Sequence, residues 1–528
     1  MRHFILATLF LVASLTATSQ VRFDADFESG NLGKVELLDS AKVIVTPRDT
    51  VEHLSYLIHG KFDPVNPVDT SLAANANWYY FRISGIRGKQ IYLTLKDNGV
   101  HGLSYSYDGD NWNHFPLNES PRRRLDKRFD KDTVFIALYR PYTNSYLQER
   151  IAEWGSRKGT QIDTIGWSFE NRPLQLLHIT DPNVPASAKK RLWFHGRQHP
   201  SETPGSWLLD AFIEKLTSDT PEARSLRAQI DAYILPFANP DGVFNGLSRS
   251  NITGVNQEIN FGRSNDSTVV EVQAMKAMFR KLHNEQPIDL VLNNHSQHAD
   301  CAIYWMHTSS STSIEYSRKQ WVFAGLSCSF NPYMYPREML FSDVAPRYCE
   351  GWFWDNAGER TIALTLETPY TFYSFNKEGE WVNDSNLKYF GGRLLDAVAE
   401  YFGISTPGRI LVENPDNPKG WIPLSNQNIA FMGESGWSSS AAGSKMIYRA
   451  DMVEAGEYEL YRYIPGDNVE PPKGRNDFGD TDPGEHGWVF ECEFVQKRDG
   501  RFKYVYRAKE AGDIADAILL LKKNQISF

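Results

Sequence analysis

At 528 residues the chain is too long for one ordinary hydrophobic core, and it predicts two or three domains. Hydrophobic residues make up 41% and charged residues 23%, the balance of a soluble globular protein. A net charge of −9 excludes the basic face that a nucleic-acid partner requires.

The chain opens on Met1-Arg2-His3, a short positive start, followed by an almost wholly apolar run from Phe4 to Leu15. Ala17-Thr18-Ser19 then supplies the small residues of a cleavage site. This predicts a secretory signal over 1–19, cut before Gln20, and a secreted or periplasmic protein. No second apolar run is long enough to span a bilayer, so no membrane span is expected after signal removal.

Residues 20–155 read as short strands. Asn77 to Gly85 and Gln90 to Leu95 gather β-formers between turn residues, and Ser104 to Trp112 carries an Asp108-Gly109 hairpin turn. A β-sandwich is expected here. Residues 156–406 change character. Arg191–His195, Tyr233–Phe237, Asp289–Asn293 and Thr361–Leu366 are apolar strands. Between them, Leu208, Leu209, Phe212, Ile213 and Leu216 recur at helical spacing, as do Val272, Met275, Phe279 and Leu282. Strands alternating with helices predict an α/β domain with a mixed sheet flanked by helices, its functional residues just beyond the carboxyl ends of the strands. Residues 407–528 return to an all-β pattern. The alternation from Gly456 to Tyr463 slips once at Leu460-Tyr461, which predicts a bulge, and the Pro/Gly/Asp-rich stretch from Gly466 to Gly487 reads as a long loop. The four cysteines, Cys301, Cys328, Cys349 and Cys492, form no metal-finger spacing, and an oxidising compartment would allow one or two disulfides.

Three strand ends carry residues with chemistry. His199-Pro-Ser-Glu202 lies between a strand and a helix, and two ligands three apart in a loop can face one tetrahedral zinc. By itself that pair is also what chance provides in a surface loop. His295 closes the strand from Asp289, where a lone histidine is also an ordinary hydrogen-bonded residue. Glu367 leaves an apolar strand as a candidate base, or as a plain solvated carboxylate. Asn239-Pro-Asp-Gly-Val243 is a turn, with Arg249 shortly after it.

Taken in order, Arg197-Gln-His-Pro-Ser-Glu-Thr-Pro-Gly-Ser-Trp207, Asn239-Pro-Asp-Gly-Val243 with Arg249, His295 after its strand and Thr365-Leu-Glu367 resemble the zinc metallocarboxypeptidases, most closely the cytosolic carboxypeptidase subfamily. Phe27 to Leu32, Trp78 to Phe81 and Tyr139 to Leu147 resemble that subfamily's preceding β-sandwich. The resemblance covers roughly Phe23 to Phe402. It implies one Zn2+ held by His199, Glu202 and His295, with a fourth position left for water. It further implies Glu367 as general base and Arg249 as the group that polarises the scissile carbonyl.

One motif departs from the family. Where relatives carry an Asn-Arg pair for the substrate's terminal carboxylate, this chain has Gly254-Val-Asn-Gln-Glu-Ile-Asn-Phe-Gly-Arg263. An ungapped alignment puts Glu258-Ile259 there; a two-residue insertion puts Asn260-Phe261. Either way the arginine is absent. A carboxylate left without its Arg fork loses ~3–5 kcal/mol by analogy with broken buried pairs. Glu258, Asn260, Arg263 and Tyr348 are the candidates for shaping this end of the substrate site. The expected activity is cleavage of a peptide or amide bond by an exported zinc hydrolase with an altered carboxylate site. Two readings stand beside it: an amidase or endopeptidase acting on substrates without a free C-terminal carboxylate, and a non-catalytic peptide- or glycan-binding protein. A glycan contact would fall to the aromatic C-terminal domain, around Trp421, Trp437 and Trp488.

Overall fold

The structure, a computed structural model, describes residues 20–46, 49–66, 75–97, 102–375, 380–413, 418–424, 436–465 and 487–523. The predicted leader and nearly all of the predicted loop after Gly466 lie outside these residues.

The N-terminal part is built from a five-stranded and a four-stranded sheet that enclose one apolar core. In the strand Gln90–Leu95 the alternation places Ile91, Leu93 and Leu95 inward and leaves Gln90, Tyr92 and Thr94 half-buried. At Asp108-Gly109 the Asp108 carboxylate accepts the N–H groups of Asp110 and Asn111, and Ser104–Ser106 pairs with Trp112–His114 as a hairpin. The helix Asn144–Gly155 falls in the segment read as the end of the sandwich. Its buried Leu147, Ile151 and Trp154 nevertheless join the core of the central domain.

The central domain is an eight-stranded mixed sheet. Ile230–Leu235, Lys190–Gly196, Leu290–Gln297 and Ile362–Pro369 run parallel side by side at its middle. Thr160–Trp167 and Pro173–Ile179 extend one side antiparallel, and Ile303–His307 adds antiparallel on the other. Helices Thr203–Thr217 and Asp384–Tyr401 cover one face, and Val270–Glu285 with Cys349–Ala357 cover the other. The predicted face of Thr203–Thr217 (Leu208, Leu209, Phe212, Ile213, Leu216) is fully buried, each side chain contributing about 2 kcal/mol gross.

The C-terminal part is all-β, with its own core around Tyr448, Tyr458, Leu460 and Leu520. The ladder between Gly456–Ile464 and Gly487–Gln496 shifts register between Leu460 and Tyr461, where the alternation slips. Trp421, Trp437 and Trp488 are all buried, so these rings offer no exposed glycan platform. Trp488 instead donates its indole N–H to Glu400 at 3.0 Å, beside a buried cluster in which Arg393 and Arg409 bind Glu400 and Asp396. That cluster joins the last helix of the central domain to the C-terminal sheet. All four cysteines are free, so the disulfides an oxidising compartment would allow are absent. Among the described residues, no helix is long and apolar enough to cross a membrane.

Candidate active site

The loop after Lys190–Gly196 is shaped by Arg197, whose φ of +58° reverses the chain. Its buried guanidinium donates to the Pro200 carbonyl from Nε at 3.0 Å and from Nη2 at 2.6 Å, and to Ser206 Oγ at 3.0 Å. This closes the loop on itself and presents His199 and Glu202, the latter standing just before the helix that begins at Thr203 with its carboxylate turned to the histidines instead of the helix end. Asn239 ties the neighbouring turn to it by donating to the carbonyls of Gln198 and Ser250. The turn sits close: a side chain on Gly242 would place its Cβ 2.4 Å from Cγ of Pro200.

His295 comes from the middle strand Leu290–Gln297 and lies opposite Glu367 in the parallel ladder. Two strand ends and one loop therefore meet at a point. His199 Nδ1 lies 2.8 Å from Glu202 Oε1, His295 Nδ1 lies 2.7 Å from Glu202 Oε2, and the two Nδ1 atoms are 3.1 Å apart. Each imidazole is oriented from behind: His199 Nε2 donates to Asn256 Oδ1 at 3.0 Å, and His295 Nε2 to Gln198 Oε1 at 3.2 Å. Both Nδ1 atoms thus turn toward the Glu202 carboxylate and leave a point between the three groups that positive charge, a proton or a metal cation, makes favourable. The site's demand for positive charge shows in His199 itself. Burial disfavours its protonated form, yet Glu202 and Glu258 outweigh that and push its pKa up to about 10. Two imidazoles and one carboxylate are a donor set that fits a single zinc.

His199 and Glu202 line a cavity of ≈ 490 Å³ together with Arg249, Glu258, Tyr348, Glu367 and Tyr370, with His295 just behind it. Arg249 Nη2 donates to Glu258 Oε2 at 2.8 Å, and the same carboxylate oxygen lies 3.4 Å from His199 Nε2. Burial opposes ionisation of Glu258, but the positive charge at His199 and at Arg249 holds its carboxyl well below the usual carboxylate range. Glu367 behaves oppositely. Burial first, then the charges of Glu202 and Glu258, raise it well above that range, and its Oε2 has no hydrogen-bond partner.

Of the candidates at the altered motif, Glu258 and Tyr348 line the cavity, and Asn260 and Arg263 do not. The short 3-10 turn Gln257–Ile259 explains this. It points Asn260 back to the Asn256 carbonyl at 2.6 Å and sends Phe261 into the core against Phe279, leaving Arg263 exposed. Asn256 and Tyr370 were not singled out from the sequence. Asn256 stands four residues ahead of Asn260 in the departing motif, the one signal that marked its neighbourhood.

The zinc carboxypeptidase family matches residues 157–332. The chain carries a zinc carboxypeptidase domain. That match stops short of Glu367, which the sheet register brings to the site. Human cytosolic carboxypeptidase 2 is 26% identical over 269 residues, covering 44% of this chain and 28% of its own length. Mouse cytosolic carboxypeptidase 6 is 24% identical over 430 residues, covering 73% of this chain and 75% of its own. The chain thus spans less than a third of one relative and three quarters of the other. A metallocarboxypeptidase from Burkholderia cenocepacia has a similar fold, with a TM-score of 0.58 at 18% identity, over 72% of this chain and 98% of that one. Its likeness, like the sheet order above, establishes the metallocarboxypeptidase fold of the central domain.

Proposed function

We propose that this protein is an exported zinc peptidase that hydrolyses a peptide or amide bond and whose site for the substrate's terminal carboxylate is altered. The observation that carries the reading is the convergence of His199, Glu202 and His295 beside Glu367, which lines the cavity and whose buried Oε2 has no hydrogen-bond partner. Zinc bound by these three residues would supply a Lewis acid and a water acidified towards neutral pH. Glu367 takes the proton of the attacking water and returns it to the departing amine. Arg249, at the cavity wall, donates to the carbonyl oxygen as negative charge develops there.

Glu258 gives the altered end its character. It is fixed to Arg249 and stays ionised, so a substrate carboxylate approaching residues 258–261 meets a like charge. That supports a carboxylate grip placed elsewhere, and equally favours the second reading, cleavage of substrates that bring no carboxylate to this wall. Export rests on the apolar run Phe4–Leu15 with its following small residues, whereas the relatives above are named as cytosolic. The C-terminal domain serves as a brace through Trp488 and Glu400.

Metal analysis and a peptide digest test this directly. The protein is expected to hold one zinc per chain, with His199→Ala holding none, and to release residues from a mixed peptide library in a zinc-dependent manner. Wild type without bound zinc, or zinc-loaded protein inert towards the entire library, would count against it.

A further inference from the structure

The zinc ligands and Glu367 gather at the carboxyl ends of the central strands, and a second cavity opens at the opposite ends. Lys190 and Ile362 begin their strands, and Asp289 directly precedes Leu290–Gln297. All three line this cavity, about 20 Å along the sheet from His295 and Glu367 at ~3.3 Å per residue. The helix Ile314–Cys328 supplies Glu315, Arg318 and Val322 to the same cavity. Arg360 comes from the turn after Cys349–Ala357, and Tyr401 from the end of Asp384–Tyr401. The volume is ≈ 180 Å³, about six times the share of one water in the liquid, which suits a molecule of amino-acid size and excludes a peptide.

The charges here are mixed and incompletely matched. On the sheet wall, Asp289 Oδ2 accepts the Arg191 N–H at 2.7 Å, but Oδ1 stands 3.8 Å from Lys190 Nζ. On the helix wall, Glu315 Oε2 takes Arg318 Nη2 at 2.6 Å, while Oε1 stands 3.7 Å from Lys319 Nζ, which donates to the Glu359 carbonyl instead. At those separations neither lysine hydrogen-bonds its carboxylate oxygen. Arg318, with 13% of its side chain exposed, has a buried Nε with no acceptor. Burial raises the Asp289 carboxyl above its usual range despite Lys190 and Arg191, as befits an acid short of positive partners.

The mixture narrows the ligand. A simple anion would suit Lys190 and Arg318 but face Asp289 and Glu315, and a simple cation would meet the reverse. A zwitterion answers both sets with charge-assisted hydrogen bonds, and Val322, Ile362 and the Tyr401 ring offer apolar surface to the rest of it. We propose that this cavity binds a free α-amino acid with an apolar side chain, its carboxylate on Lys190 and Arg318 and its ammonium on Asp289 and Glu315. Such a molecule is what the peptidase reading would release, but the binding does not depend on that reading.

Isothermal titration calorimetry of the zinc-loaded full chain with leucine, N-acetyl-leucine and leucinamide tests it, since each blocked form lacks one charge. Leucine is expected to bind one to one and at least tenfold tighter than either blocked form. Lys190→Gln and Asp289→Asn are each expected to weaken leucine binding at least tenfold; Lys190 is half exposed, so its replacement leaves the fold intact. No binding of leucine, equal binding of leucine and a blocked form, or an affinity unchanged in Lys190→Gln overturns the proposal, the last because it would put the amino acid elsewhere, in the zinc cavity. Wild type that binds leucine in this manner yet cleaves no peptide would sink the peptidase reading and leave this site standing.

Discussion

Asp63 of the N-terminal sandwich accepts the backbone N–H of Arg249 at 2.7 Å, across 186 residues of sequence. Its two oxygens also take the N–H groups of Ser248 at 2.7 Å and Ser250 at 2.9 Å. The held loop passes the constraint on: the Ser248 carbonyl accepts Ser201 Oγ at 2.8 Å, inside the loop that presents His199 and Glu202. Trp78, also from the sandwich, donates its backbone N–H to Ser248 Oγ. The sandwich therefore forms one wall of the active site's support.

Replacing Asp63 with Asn turns one of its two acceptor oxygens into an NH2 group, which faces one N–H donor in place of Oδ1 or two in place of Oδ2. The loop is expected to shift and carry Arg249 off its position, lowering kcat on the order of 10²-fold with a smaller change in KM. Steady-state kinetics of Asp63→Asn beside Arg249→Ala check this. If Asp63→Asn keeps full kcat at an unchanged melting temperature, the sandwich has no part in positioning Arg249.

Asn256 accepts from His199 Nε2 and also from the Glu258 N–H, which fixes its amide orientation. Asn256→Ala should let the imidazole rotate and weaken zinc binding roughly 10- to 100-fold without abolishing it. Competition with a chromophoric chelator measures the affinity. A zinc affinity equal to wild type would remove Asn256 from the site's design.

Glu271 lies fully buried at the start of the helix Val270–Glu285, neither oxygen hydrogen-bonded, and burial together with nearby Asp241 pushes its pKa up to about 7. The folded protein thus keeps a proton that the unfolded chain releases near pH 4.5. Stability from this group is fully present below that pH and is lost as pH rises through about 7, by up to ~3 kcal/mol. Glu271→Gln cannot ionise and should gain on wild type in thermal melts between pH 5 and pH 8. A difference in melting temperature that does not change with pH would contradict the assignment.

Glu400 is fully buried between Arg393 and Arg409 and receives the Trp488 indole. Glu400→Ala leaves two buried guanidinium groups short of a partner and is expected to cost ~3–5 kcal/mol. Urea unfolding followed by tryptophan fluorescence reads the loss. A shift under ~1 kcal/mol would mean that the C-terminal domain is held by its apolar contacts alone.

The strands that carry ligands were legible because central parallel strands are apolar throughout and end abruptly in polar residues, as at Asn293 to His295 and Thr365 to Glu367. The bulge at Leu460-Tyr461 was legible for a related reason: a side-chain period of two makes a single slip visible. Asp63 was not, because an acceptor for three backbone N–H groups is defined by a distant loop and leaves no local pattern. Arg263 was a candidate by sequence distance alone, and the turn Gln257–Ile259 with the burial of Phe261 decides against it. The helix Asn144–Gly155 follows the sandwich in sequence, yet Trp154 is placed by packing partners far along the chain.

The central claim, zinc-dependent hydrolysis with Glu367 moving the proton, is tested most directly with paired peptides, free-acid and C-terminally amidated, given to zinc-loaded wild type and Glu367→Gln. The account predicts cleavage by wild type that is abolished by chelation and falls 10²- to 10⁴-fold in Glu367→Gln. Free-acid peptides cleaved one residue at a time would place the carboxylate grip away from Glu258, and cleavage of both members of a pair would mean that no grip is needed. Wild type inactive on every pair, or Glu367→Gln as active as wild type, would contradict it.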